Sequence, residues 1–173
     1  MSGTGVYALA QDTPGDPFDN AATCIHIHRT DQIADQIVID HLYGSVDMVA
    51  RGKAAGEWNP WEYINPRNQY SIEYRTTERF RNATVYVQSF YLGQMPSSGG
   101  KSVTIGKGIT VVDIVGFFFN DTYDMPLVCL GTYVKEIYYN RSVGTIQIDV
   151  NNTDAANYKC IILAKYTKTD TLE

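Results

Sequence analysis

The chain has 173 residues, with 14 Lys and Arg against 19 Asp and Glu, a formal net charge of −5 and 44% hydrophobic residues. That is enough for one ordinary domain or two small ones, and too little charge for a disordered chain. The acidic balance, with no cluster of Lys and Arg, argues against a protein that tracks nucleic-acid phosphates, and no apolar run approaches the roughly 18 residues of a membrane span. Met1 to Gly5 lacks the charged and apolar regions of a signal peptide, so the chain reads as soluble and folded in a cytoplasm. Cys24, Cys129 and Cys160 are widely spaced and form no CxxC pair; they read as buried reduced thiols rather than a disulfide framework or a zinc site. Leu172 and Glu173 resemble what a cloning site leaves ahead of a purification tag, which suggests a fragment of a longer protein.

In chain order, residues 12–20 form a long turn-rich loop of Asp, Pro, Gly and Asn. Short strands are predicted over 23–29, 36–43 and 46–51, and Trp58-Asn59-Pro60-Trp61 closes the segment. Asn65-Pro66-Arg67 marks a boundary, because proline biases its neighbour to extended geometry. Two β-rich modules follow, over residues 1–66 and 67–173. In the second, strands are predicted over 84–91, 109–119, 133–139, 143–150 and 158–166, with turn clusters at 96–100, 120–124, 140–142 and 151–154. Ile146, Ile148 and Val150 alternate with Thr145, Gln147 and Asp149, and Cys160, Ile162 and Ala164 alternate with their neighbours, as half-buried strands do. The run 109–119 is apolar on both faces and predicts cover on both sides, by a second sheet or by a neighbouring subunit. The fold class is all-β: a small β-rich knob module, then an antiparallel β-sandwich.

The order of Gly5-Val6-Tyr7, the strand from Cys24 to Arg29, Gln36, Val49-Ala50-Arg51-Gly52 and Trp58-x-x-Trp61 resembles the pyocin-knob module of phage and R-type bacteriocin tail fibres. Residues 73–170 resemble the C-terminal tip domain of phage tail and receptor-binding proteins. The matching pieces are Glu73 to Glu78, Gly93-Gln94-Met95-Pro96, Val112 to Gly116 and the ending Ala164-Lys165-Tyr166-Thr167-Lys168-Thr169. The resemblance implies a homotrimeric tail-fibre tip on a virion or phage-tail-like particle. It further implies adhesion to a bacterial surface glycan, without enzymatic activity, cofactor, nucleic acid or membrane insertion. The family's usual trimerising shaft repeat is absent from this sequence.

Several constellations bear on chemistry. Tyr138, Tyr139, Asn140 and Arg141 combine aromatic faces, an amide and a guanidinium at a strand-to-turn junction, a pattern suited to sugars. Asn120, Asp121, Tyr123 and Asp124 form a second receptor-binding candidate. His26 and His28 share one strand face; on a trimer axis three such pairs could hold a metal ion, as some trimeric phage fibres do, but the simpler reading is two polar residues on the solvent face and no metal. Asp121 and Asp124, with Asp113 in an apolar strand, raise the alternative of a polysaccharide depolymerase. A structural baseplate or fibre-joint module is a further alternative. Trp58 and Trp61 could stack on a sugar, although packing is the reading preferred.

Overall fold

The computed structural model describes residues 3–18, 20–40, 47–67, 69–127, 134–151 and 153–168. Among them the regular structure is β-strand apart from one 3₁₀ turn, Thr153–Asn157, so the chain is all-β. No helix among the described residues is long and apolar enough to cross a membrane. The chain divides into two compact units, Met1–Arg67 with Tyr74–Thr77, and Asn68–Glu73 with Glu78–Glu173.

The first unit is built on β1 (Gly5–Leu9), β2 (Ala22–Thr30), β3 (Ile33–Asp40), β4 (Asp47–Ala54), β5 (Glu57–Trp58) and β6 (Glu62–Tyr63). These pair antiparallel in the order β1-β2-β3-β4-β6, with β5 folded back onto β4. Alternation sets the inner face: Ala22, Cys24 and His26 of β2, Ala34, Gln36, Val38 and Asp40 of β3, and Asp47 and Val49 of β4 are buried. Leu9, Phe18, Ala22, Cys24, Val38 and Val49 form the core, with Tyr7, Trp61 and Tyr63 packed against it. Ala55 and Gly56, at φ 50° and 87°, make the tight β4–β5 turn. That turn lays Trp58 opposite Lys53. Thr76 of β7 (Glu73–Phe80) pairs parallel with Tyr63, and the Tyr74 ring meets Tyr63 edge-on at 4.8 Å.

The second unit contains β8 (Ala83–Gln94), β9 (Gly99–Thr104), β10 (Ile109–Phe119), β11 (Asp124–Pro126), β12 (Val134–Asn140), β13 (Thr145–Val150) and β14 (Lys159–Lys168). One antiparallel sheet runs β8-β14-β10-β11 and a second runs β12-β13-β9. Their facing side chains make a single core, with Phe90, Phe118, Ile162, Ala164 and Tyr166 from the first sheet and Val134, Ile146, Ile148 and Val150 from the second. This is a β-sandwich. Gly116 lies at a close approach of β10 to β14: a Cβ there would sit 2.3 Å from the Ile161 carbonyl oxygen and 2.5 Å from a Leu127 methyl.

The sequence predicts the bounds of β10 as they stand and the alternation of β13 and β14. The third strand begins earlier than predicted, at Ile33, and residues 41–43 of the predicted run lie outside the described residues. Strands β5, β6 and β11 are too short for periodicity to reveal. Within the single chain β10 is covered on one face only: Phe118 is buried, whereas Val115 and Phe117 are 43% and 52% exposed. Asp113 is exposed as well, next to a bulge between Val111 and Asp113 that breaks the alternation of the strand. Cys24 and Cys160 are buried and form no disulfide, as expected, and burial pushes the Cys160 thiol up to about 12. Cys129 lies outside the described residues.

Candidate functional site

The first unit encloses a cavity of about 360 Å³. Its polar wall comes from strand register. His26 of β2 stands opposite Gln36 of β3, and Gln36 stands opposite Arg51 of β4. The next row inward, Cys24, Val38 and Val49, is apolar. One polar row thus crosses an otherwise apolar face. The turn-rich loop after β1 contributes Thr13 and Asp16, and Trp58 and Trp61 supply aromatic walls.

Arg51 organises the site. Its Nε–H donates to Gln36 Oε1 at 2.9 Å. The guanidinium carbon lies 4.0 Å from the Trp61 ring centre and 4.6 Å from that of Trp58. Stacking of this kind holds the planar fork rigid and shields it from water. Burial pulls the Arg51 pKa down from its usual value without removing the charge. His26 is 2% exposed, and neither ring nitrogen has a hydrogen-bond partner among the described residues. Its ring lies 6.1–6.4 Å from the rings of Tyr7, His28 and Trp58. Burial is the main cause that lowers the His26 pKa, with His28 and Lys53 acting in the same direction. The imidazole is therefore neutral at pH 7, with one donor and one acceptor to offer. Asp16 Oδ1 accepts from the Phe18 N–H at 2.9 Å, which ties the loop down.

His26 and His28 do share a strand face, but it is the buried face of β2. Ile27, on the opposite face, is 40% exposed. The solvent-face reading is corrected for His26, which is 2% exposed in the cavity wall beside residues 13–16 and the two indoles; His28 is half-buried, 3.9 Å from Asp31. No group of three or more His, Cys, Asp or Glu that could hold a metal ion occurs among the described residues.

The two receptor-binding candidates in the sandwich lie at opposite ends of it. Tyr139 donates its hydroxyl to the Gly106 carbonyl at 2.6 Å, just before β10 begins, whereas Asn120 follows the end of β10. An eleven-residue strand separates them, about 35 Å. Asn120 Oδ1 accepts from the Thr122 and Tyr123 amides, and Asn140 Oδ1 accepts from the Ser142 amide and hydroxyl. Both asparagines therefore shape their own turns. Tyr139 packs against the core, while Asp121, Tyr123, Asp124, Tyr138 and Arg141 are exposed. Gln36, Arg51 and Asp16 did not stand out as site residues in the sequence. The signal was parity: Gln36 lies two positions before Val38, and Arg51 two after Val49, on the inward face.

No protein-family model matches the chain, and no curated protein matches it. Among solved structures, that of an N-truncated R2-type pyocin tail fibre aligns with 95% of this chain and 91% of its own, at 8% identity and a TM-score of 0.33. A superposition that loose establishes neither a shared fold nor a shared activity.

Proposed function

We propose that this chain is the receptor-binding end of a phage or phage-like tail fibre, which adheres to a glycan on the bacterial surface and does no chemistry on it. The observation that carries the binding part is the cavity of the first unit, where a stacked guanidinium, a buried imidazole without hydrogen-bond partners among the described residues, and two indoles converge. Aromatic faces with a few fixed polar groups are the usual make-up of a small-molecule or sugar site. The tail-fibre part rests on the order of the knob-like and tip-like motifs along the sequence.

The depolymerase alternative is less well supported. Two-acid glycoside hydrolysis needs carboxyl groups roughly 5–10 Å apart across the bond, and Asp16 is the one carboxylate in the described lining of the cavity. Asp113, Asp121 and Asp124 are exposed. The reading includes a homotrimer, in which the outer face of β10 with Val115 and Phe117 meets a neighbour. Linked copies would raise the avidity of weak single sites by orders of magnitude. Asp121, Tyr123, Tyr138 and Arg141 are available as further receptor contacts.

The test is retention of the labelled protein on cell envelopes from a bacterial panel, with its mass in solution measured by light scattering. Strain-selective retention by a trimer, lost in the Trp58→Ala/Trp61→Ala double variant, is the expected result. A monomer that no envelope retains would overturn the reading in favour of a structural joint module. Retention unchanged in the double variant would remove the cavity from it.

A further inference from the structure

Among the described residues, Arg51 is the one arginine of the first unit without a carboxylate partner. Arg29 pairs with Asp35 at 3.4 Å, Arg75 with Glu62 at 3.0 Å, and Arg67 with both Asp40 and Asp47. Arg51, in the cavity wall, has Gln36 on Nε and the rings of Trp58 and Trp61 at 4.6 and 4.0 Å from its guanidinium carbon. Its Nη–H donors carry no hydrogen bond among the described residues. A desolvated charge without a counter-charge is costly, and so is a buried imidazole with no partner. The two occur in one cavity, on one cross-strand row.

From this we infer that the cavity takes a carboxylate-bearing sugar residue, whose carboxylate lies on the Nη–H donors of Arg51 and whose hydroxyls bond His26, Gln36 and Asp16. The inference rests on the reading of the cavity as a glycan site and names the class of sugar. A guanidinium fork matches a carboxylate with two parallel hydrogen bonds. A phosphate brings a charge of about −1.5 to −2 near neutral pH, whereas this wall offers one cation, a neutral imidazole and the carboxylate of Asp16. That balance suits a single negative charge. Asp16 accepts sugar hydroxyls as readily as it repels a second anionic group. The volume, about 360 Å³, lies near the lower end of ligand cavities and suits one sugar residue rather than a chain.

The chain has two tryptophans, and both line the cavity, so intrinsic emission reports its occupancy without a label. The full chain is titrated with the methyl glycosides of glucuronic, galacturonic and N-acetylneuraminic acid, and with methyl glucoside and methyl galactoside as the neutral counterparts. A saturable emission change is expected with at least one acidic glycoside. Its neutral counterpart binds about tenfold or more weakly, a difference of about 1.4 kcal/mol. Arg51→Gln abolishes the preference, and Arg51→Lys, which keeps the charge and loses the fork, retains part of it with the fold checked by circular dichroism. No response to any of the three acidic sugars overturns the inference. Equal affinity for acidic and neutral glycosides, insensitive to Arg51→Gln, overturns the carboxylate assignment and leaves the glycan site standing. Competition by inorganic phosphate at equal concentration overturns the choice of anion. Silence toward every sugar, with envelope retention intact in the Trp58→Ala/Trp61→Ala variant, overturns the inference and the cavity site together.

Discussion

Gln36 holds Arg51 through its side-chain oxygen, accepting the Nε–H at 2.9 Å, and it does so from the middle of a three-strand row that ends in His26. The amide holds one edge of the guanidinium while the rings of Trp58 and Trp61 pack against it. What remains of the fork is its outer edge, the part that recognises an anion. The geometry is therefore preorganised, which lowers the ordering cost of binding a small ligand.

The buried His26 makes stability depend on pH in a defined direction. Burial holds its folded pKa below the ordinary 6.5. Above that value neither state binds the proton, and the group contributes no slope. Below it the unfolded chain takes up a proton that the folded site resists, so stability falls with acidity. Denaturant midpoints measured at pH 7.5 and 5.5 should show the loss, and His26→Leu should shrink it.

Asp40 and Asp47 face each other across β3 and β4, and both are nearly fully buried. Arg67 bonds both, at 3.3 Å to Asp40. Arg67→Met leaves two buried carboxylates opposed without the guanidinium, and should cost about 3–5 kcal/mol. Adding Asp47→Asn should return part of that loss. Urea unfolding of the two variants checks both statements.

Gly116 is required for packing rather than for its dihedral freedom. Gly116→Ala would drive a methyl group into the Leu127 side chain and the Ile161 carbonyl, and the carbonyl cannot give way without moving β10 or β14. The expected loss is about 1–3 kcal/mol, read as a lower Tm of the second unit.

Tyr139 and Tyr123 should separate cleanly. Tyr139→Ala removes a core-packed ring and its bond to Gly106, at about 2–3 kcal/mol. Tyr123 is 61% exposed, and Tyr123→Ala should change stability by less than about 0.5 kcal/mol. Loss of envelope retention in Tyr123→Ala at unchanged Tm would assign that loop to the receptor; loss in Tyr139→Ala must be judged against the wild-type-like packing of Tyr139→Phe.

The sequence by itself determined the class of fold and most of the strands, because period-two alternation survives in β13 and β14 whatever the strands pair with, and β-branched and aromatic runs mark others such as β10. It also marked Trp58, Trp61, His26 and His28 as chemically notable, by residue type. It did not join them, because alternation says which residues share a face and nothing about which strand lies beside which. Register decided that His26, Gln36 and Arg51 form one row. The β4–β5 turn decided that Trp58 folds back over that row instead of standing in solvent. For the same reason His26, one of a histidine pair that looks like a surface feature, is part of a cavity wall: burial belongs to what packs above the strand, and only the tertiary structure supplies the loop and indoles that do so.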